Sequence, residues 1–233
     1  MRNILVYGHA ILFFISIIPS MLWLKTQNEE VRYRKTNQLA KKIATNTLKL
    51  TGTKVNVKGL EHIKDDEHYL YISNHQGNFD IPLLLAHVNE DLSFIAKKSL
   101  EKVPLFGQWM TNKMCIFIDR ENPRDAVRQL AKAGEMVKDG KPVSIFPEGH
   151  RSKGDSMGDF GNSGSRIAKK AGVKILPITI NGSYRIMEEL NGKFQPANVT
   201  LVVHEPIAPA EFSSLSELNK AVEETIQSAL PKN

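Results

Sequence analysis

"YISNHQGNFDIP", residues 71–82, runs from an apolar, β-branched segment through polar and turn-forming residues to Asp80, Ile81 and Pro82. The pattern reads as the end of a strand, a turn and the start of a helix. Strand, turn and helix in succession form the unit from which α/β sheets are built, so this stretch decides the fold class. His75 and Asp80 stand five residues apart across the turn. On one continuous helix that spacing leaves two side chains about 140° apart. Gly77 and Asn78 between them permit a tight turn that can bring Asp80 back toward the imidazole. Two roles for Asp80 stand level here. Its carboxylate either orients His75 as a general base or caps the helix that Ile81 and Pro82 open.

The same alternation continues along the chain. Strands are expected at 54–59, 68–73, 92–97, 114–119, 142–147, 174–180 and 199–205, and helices at 80–89, 123–139, 162–171 and 212–229. This order predicts an α/β fold with a mixed, largely parallel sheet flanked by helices. No internal repeat, low-complexity segment or interdomain linker interrupts it.

A chain of 233 residues with 41% hydrophobic residues can bury a sizeable core. The single cysteine, Cys115, excludes a disulfide framework and a cysteine-rich zinc site, and suits a reducing compartment. The formal charge of +6 is concentrated at one end. Residues 1–50 hold eight Lys and Arg against two Glu, and the rest of the chain holds 23 of each sign.

That basic end is also the most apolar. Residues 4–24, "ILVYGHAILFFISIIPSMLWL", carry no formal charge and are long enough to cross a hydrocarbon core, with Trp23 at one edge. His9 and Pro19 weaken the pattern. The run exceeds a usual signal-peptide core and no A-x-A site follows, so a retained anchor is expected. Residues 27–50 then read as a basic helix with Leu39, Ile43 and Leu50 on one face, suited to an anionic membrane surface. The division expected is thus 1–50, an anchoring apolar helix and a basic amphipathic helix, and 51–233, a catalytic α/β domain. One basic residue precedes the apolar run and seven follow it within residues 1–50, which places the domain on the cytoplasmic side of the cell or inner membrane. Nucleic acid is not the expected partner, because no aromatic residues or recognition motif accompany the charge.

In α/β sheets ligands gather beyond the carboxyl ends of the strands. Four polar clusters fall there: "NHQGNFD", "KKSLEKVPLFG", "DR" and "EGHRS". Lys97, Lys98, Arg120 and Arg151 each follow a strand and are candidates to converge on one anion. In "FPEGHRS", residues 146–152, Glu148 and Arg151 share one short loop, which serves either a bound hydroxyl and phosphate or a salt-bridged turn. No serine lies in a G-x-S-x-G elbow, so an acyl-enzyme has no evident nucleophile. A metal on His75 and Asp80 needs further ligands, and adding His150 matches no familiar spacing.

"NHQGNFD", "FIDR", "FPEGHRS" and "LPITI" occur in the order and approximate spacing of the four motif blocks of the glycerolipid acyltransferase family. Over about residues 55–205 the chain resembles that family, and within it the bacterial-type 1-acyl-sn-glycerol-3-phosphate acyltransferases. The resemblance implies a glycerol-3-phosphate acyltransferase-like fold. It also implies transfer of an acyl group from an acyl thioester, on coenzyme A or acyl carrier protein, to the sn-2 hydroxyl of lysophosphatidic acid, with no cofactor. His75 would be the general base and Asp80 its orienting partner. Arg120 and Arg151 would bind the phosphate with Lys97 or Lys98 assisting, Glu148 and Gly149 would bind the acceptor, and Pro177 would lie in the fourth block near the acyl chain. The lipid bilayer would be the partner surface. Three positions depart from the family pattern: His150 stands where threonine is common, Ser99 where an acidic residue is common, and "FGNSG" at 160–164 where lysines often occur. These bear on the acceptor more than on the reaction. Another acceptor, a thioester hydrolase and a non-catalytic binding protein are the competing readings.

Overall fold

The computed structural model describes residues 2–231. Its centre is a seven-stranded sheet of β1 (Lys54–Lys58), β2 (Tyr69–Ser73), β3 (Ser93–Lys97), β4 (Ile116–Ile118), β5 (Val143–Ile145), β6 (Lys174–Asn181) and β7 (Asn198–Val203). The spatial order is β1-β7-β6-β2-β5-β3-β4. All neighbours are parallel except β6 and β7, which are antiparallel. The mixed, largely parallel sheet is as expected, and each strand lies within two residues of its expected bounds.

The helices are α1 (Arg2–Ser16), α2 (Ile18–Leu24), α3 (Glu29–Thr51), α4 (Asp80–His87), α5 (Phe106–Asn112), α6 (Pro123–Lys138), α7 (Ser163–Ala171) and α8 (Leu215–Gln227). Of these, α5 has no counterpart among the expected helices. It is seven residues long, and Leu105 before it and Met114 after it both have positive φ, which breaks any periodic pattern.

Alternation along β2 explains the layering. Tyr69 and Tyr71 join one buried cluster, and Leu70 and Ile72 join the other across the sheet. Helices α6, α7 and α8 cover the second face through Val137, Ile167 and Val222, among others. The first face is covered by α4 and by the N-terminal helices, whose Val6, Phe13, Ile17, Leu24, Ala40, Ala44 and Leu48 are buried.

Two expectations about the N-terminus change. The apolar run is not one helix: it is α1 and α2, bent by 40° at Ile17, with Pro19 in the first turn of α2. Proline lacks an N–H and disfavours a helical residue before it, so the break falls where the sequence places it. Neither helix alone is long and apolar enough to cross a membrane, whereas the bent pair together has that length and composition. The second change concerns α3. Its apolar positions Leu39, Ile43 and Leu50 pack against the core, so this helix is a wall of the domain rather than a free surface helix.

Local chemistry fixes α3 firmly. The Asn28 side chain accepts from Val31 N–H at 2.9 Å and Gly52 ends the helix at φ 77°. A buried polar network ties it to the sheet. Lys113 Nζ donates to Asn37 Oδ1 and to the Glu90 carbonyl, both at 2.7 Å, and Asn37 Nδ2 donates to Asp91 Oδ1 at 2.7 Å. Burial lowers the Lys113 ammonium to about 8.

Helix α7 lies close against the sheet at Gly164, where a Cβ would stand 2.6 Å from Ile72 Cδ1 and 3.3 Å from Ile145 Cγ2. Overpacking a filled core costs about 1–3 kcal/mol. Gly164→Val is therefore expected to lower unfolding stability by about that amount, measured as a fall in the denaturant midpoint at unchanged m-value.

Candidate active site

The loop after β2 is stitched to the end of β6. Asn74 Oδ1 accepts from Ile180 N–H and its Nδ2 donates to the Ile180 carbonyl, both at 2.8 Å. Gln76 Oε1 accepts from Gly182 N–H at 2.8 Å and Ser183 N–H at 3.3 Å. Gly182 has φ 91°, and a Cβ there would lie 2.7 Å from the Asn198 carbonyl oxygen, so glycine suits both the turn and the contact.

Within this frame the chain turns back at Gly77. His75 Nδ1 lies 2.7 Å from Asp80 Oδ2, which also accepts from Gly77 N–H at 3.0 Å. Asp80 Oδ1 accepts from Ser183 Oγ. The carboxylate is wholly buried, whereas His75 keeps 18% of its side chain exposed. The Asp80 carboxylate therefore faces the His75 ring and not the amides of the helix it opens. Asp80 is the first residue of α4, not its cap, and both its oxygens are taken by groups outside the helix. Its charge still sits at the favourable end of the α4 dipole. The imidazole stacks on Phe146, with centroids 4.2 Å apart and planes at 18°.

The loop after β5 runs beside this turn. Ser152 N–H donates to the His75 carbonyl at 2.8 Å and Lys153 N–H to that of Gln76 at 3.1 Å. Glu148 is 6% exposed. Its Oε1 accepts from His75 N–H and its Oε2 from Gly158 N–H, each at 2.6 Å. Burial raises the Glu148 carboxyl above its ordinary value, and the two amide hydrogen bonds oppose that rise. Glu148 thus bridges two backbone segments, one oxygen on the amide of His75 and the other on that of Gly158.

The cations divide. The Arg120 guanidinium reaches over Gly149, 3.8 Å from where a Cβ would stand, so β4 and β5 do present these residues together. Arg151 donates to Glu188 Oε1 at 3.4 Å. Lys97 is exposed at the end of β3. Lys98 lies 4.0 Å from Asp119 and 3.9 Å from Asp125, and those carboxylates compete with any anion for it. Pro177 is buried in the middle of β6, in register with Ile72 of β2, and its carbonyl accepts from His204 N–H. A cavity of about 550 Å³ along the β4 edge includes Lys98, Phe117 and Arg128 but neither His75 nor Asp80. Among the described residues no group of three or more His, Cys, Asp and Glu is placed to hold a metal ion.

Ser183 and Glu188 escape the sequence reading. Ser183 lies just beyond β6 in "INGS", so the strand-end rule that singles out the other clusters also covers it. Glu188 carries no sequence signal, since its importance comes from folding against a distant turn.

A His–Asp pair spanning the loop after β2 and the first residue of α4, with arginines on the neighbouring loops, defines an α/β enzyme of the acyltransferase class. The chain belongs to the acyltransferase family, whose model, described as "Acyltransferase", matches residues 54–181. It is similar to the crystal structure of the 1-acyl-sn-glycerophosphate (LPA) acyltransferase PlsC from Thermotoga maritima. That likeness has a TM-score of 0.79 and 32% identity, covering 98% of this chain and 95% of the other. The 1-acyl-sn-glycerol-3-phosphate acyltransferase of Pseudomonas aeruginosa is 34% identical over 178 residues, 75% of this chain and 68% of that protein. The chloroplastic 1-acyl-sn-glycerol-3-phosphate acyltransferase LPAT1 of Arabidopsis thaliana is 35% identical over 156 residues, 66% of this chain and 44% of that protein. The chain spans about half the length of the plant and algal relatives it matches.

Ser183→Ala leaves a buried oxygen of Asp80 without its donor. Losing one hydrogen bond to a charged group corresponds to roughly a tenfold fall in turnover, expected in kcat with KM little changed under steady-state assay.

Proposed function

We propose that the chain is a membrane-attached 1-acyl-sn-glycerol-3-phosphate acyltransferase. It moves a fatty acyl group from acyl-CoA or acyl-ACP to the sn-2 hydroxyl of lysophosphatidic acid, giving phosphatidic acid. The observation that carries this reading is the 2.7 Å contact between His75 Nδ1 and a buried, fully engaged Asp80. The activities in the names of the relatives point the same way.

The mechanism follows from that contact. Asp80 accepts a hydrogen bond from Nδ1–H, which fixes the tautomer and leaves the lone pair on Nε2. As Nε2 takes the proton of the acceptor hydroxyl, the hydroxyl oxygen bonds to the thioester carbonyl carbon. The tetrahedral centre collapses with cleavage of the C–S bond, and the imidazolium, stabilised by Asp80, returns its proton to the leaving thiolate. Water and acceptor hydroxyl compete for the same base, so acceptor positioning decides between transfer and hydrolysis. Arg120 and Arg151, with Lys97, take the acceptor phosphate. Gly149 gives Arg120 its approach, and Glu148 holds the His75 backbone in place.

Exposed apolar side chains support membrane attachment. Ile4, Leu5, Ile11, Leu12, Ile15, Leu22 and Trp23 of α1 and α2 are each more than half exposed. Lys25, Arg34, Lys35 and Lys42 are exposed nearby in sequence, a combination suited to an anionic lipid surface on the cytoplasmic side.

Incubation of purified protein with labelled acyl thioester and lysophosphatidate tests the reaction. Acceptor-dependent label in phosphatidic acid is expected, and acceptor-independent free fatty acid would instead identify a hydrolase. His75→Ala should lower turnover by about 10²- to 10⁴-fold, the usual contribution of a general base. For attachment, a triple change of Ile11, Leu12 and Ile15 to Asp spares the buried face of α1. An Asp at a helix centre costs about 2.5–3.5 kcal/mol to insert. This variant should therefore stay behind when anionic vesicles are floated on a density gradient, while its thermal midpoint holds.

A further inference from the structure

Glu188 lies outside the motif blocks, in the segment after the 3₁₀ turn Ser183–Ile186. Its side chain is 4% exposed and folds against the turn that carries the His–Asp pair. Oε1 accepts from Asn78 N–H at 2.8 Å and from Arg151 Nη1 at 3.4 Å. Oε2 is buried, with no hydrogen-bond partner among the described residues. A Cβ on residue 77 would come within 2.6 Å of that same oxygen, so the closeness of the carboxylate depends on Gly77 being glycine.

Placing a carboxylate in such a position costs desolvation that one backbone amide does not offset. Its compensating partner is Arg151, whose side chain remains 36% exposed. Arginine has five N–H donors in a rigid plane, and Glu188 occupies one of them. The rest of the fork stays available to a ligand. A second ion pair crosses the same two segments in the opposite sense, with Arg185 Nη2 3.3 Å from Asp155 Oδ2. Together the pairs join the loop that bears Arg151 to the segment that bears Ser183. One short stretch, 183–188, thus holds both the carboxylate behind His75 and the guanidinium proposed for the phosphate.

We propose that Glu188 is a positioning residue that sets acceptor selectivity by holding Arg151 in the orientation that receives the phosphate monoester. This rests on the acceptor reading given above. An anchored fork presents its free N–H groups in one direction, whereas a loose arginine must be ordered by each acceptor it binds. The contribution of Glu188 therefore passes through Arg151 and appears in acceptor affinity, not in the chemical step.

Steady-state kinetics with lysophosphatidate on Glu188→Ala, Glu188→Gln, Arg151→Ala and the Glu188→Ala/Arg151→Ala double variant test this, with thermal midpoints recorded to confirm folding. Glu188→Ala is expected to raise the acceptor KM roughly 5- to 20-fold, the low end for a long, partly exposed charge-assisted bond, with kcat within about threefold. Glu188→Gln should give a smaller rise, because it keeps an acceptor and loses the charge. The double variant should be no worse than Arg151→Ala alone, since the two act as one unit. A fall in kcat at unchanged KM, a lower KM in any of the three single variants, or losses that multiply in the double variant would overturn the proposal. Wild-type protein that acylates no lysophosphatidate would instead overturn the acceptor reading, and this inference with it.

Discussion

The carboxylate of Asp80 is the group around which the site is arranged. A wholly buried charge needs compensation, and here it comes from three places: the His75 ring, the Gly77 amide and the Ser183 hydroxyl. Each donor in turn requires something of the fold. The ring requires the return of the chain at Gly77 and Asn78. The hydroxyl requires β6 to end beside β2, which the parallel pairing of those strands provides. The same anion at the first residue of α4 favours that helix, so catalytic geometry and helix start act together rather than in competition.

Glu148 has a similar role in the neighbouring loop. Its two oxygens join the amides of His75 and Gly158, residues far apart in sequence, and so fix the base from its backbone side. The site is therefore held by two buried carboxylates in different states of compensation. Asp80 faces the imidazole, and Glu148 faces the chain that bears it. Rigidity of this kind suits a reaction with no covalent enzyme intermediate, in which two substrates must meet in one geometry.

Much of this was legible in the sequence, for reasons specific to the residues. Runs of six or seven residues rich in β-branched or aromatic side chains marked all seven strands, since a largely buried sheet favours that composition. The polar clusters at strand ends marked His75, Asp80, Glu148 and Arg151, because chain direction in a parallel sheet brings those ends together. What escaped was of two kinds. The face of α3 that packs inward is built largely of Ala40, Ala44, Thr36 and Asn37, which carry little periodic signal, so the helix read as a surface element. Ser183 meets Asp80 across 103 residues, and Glu188 meets Asn78 across 110 and Arg151 across 37, and spacing along the chain does not encode such contacts.

Phe146 covers one face of the His75 ring, and Asp80 occupies one of its two nitrogens. In the proposed mechanism the other nitrogen, Nε2, carries the lone pair, and the Ser152 and Lys153 amides tie the arginine-bearing loop to the turn that holds the ring. Such an arrangement acts as a ruler on any polyhydroxyl molecule gripped at one end. Of two hydroxyls on a short carbon backbone, only the one at the matching distance from the grip meets the ring nitrogen. On the proposed function, regiochemistry would then be a property of spacing set by the loops, and not of any difference in reactivity between the hydroxyls themselves.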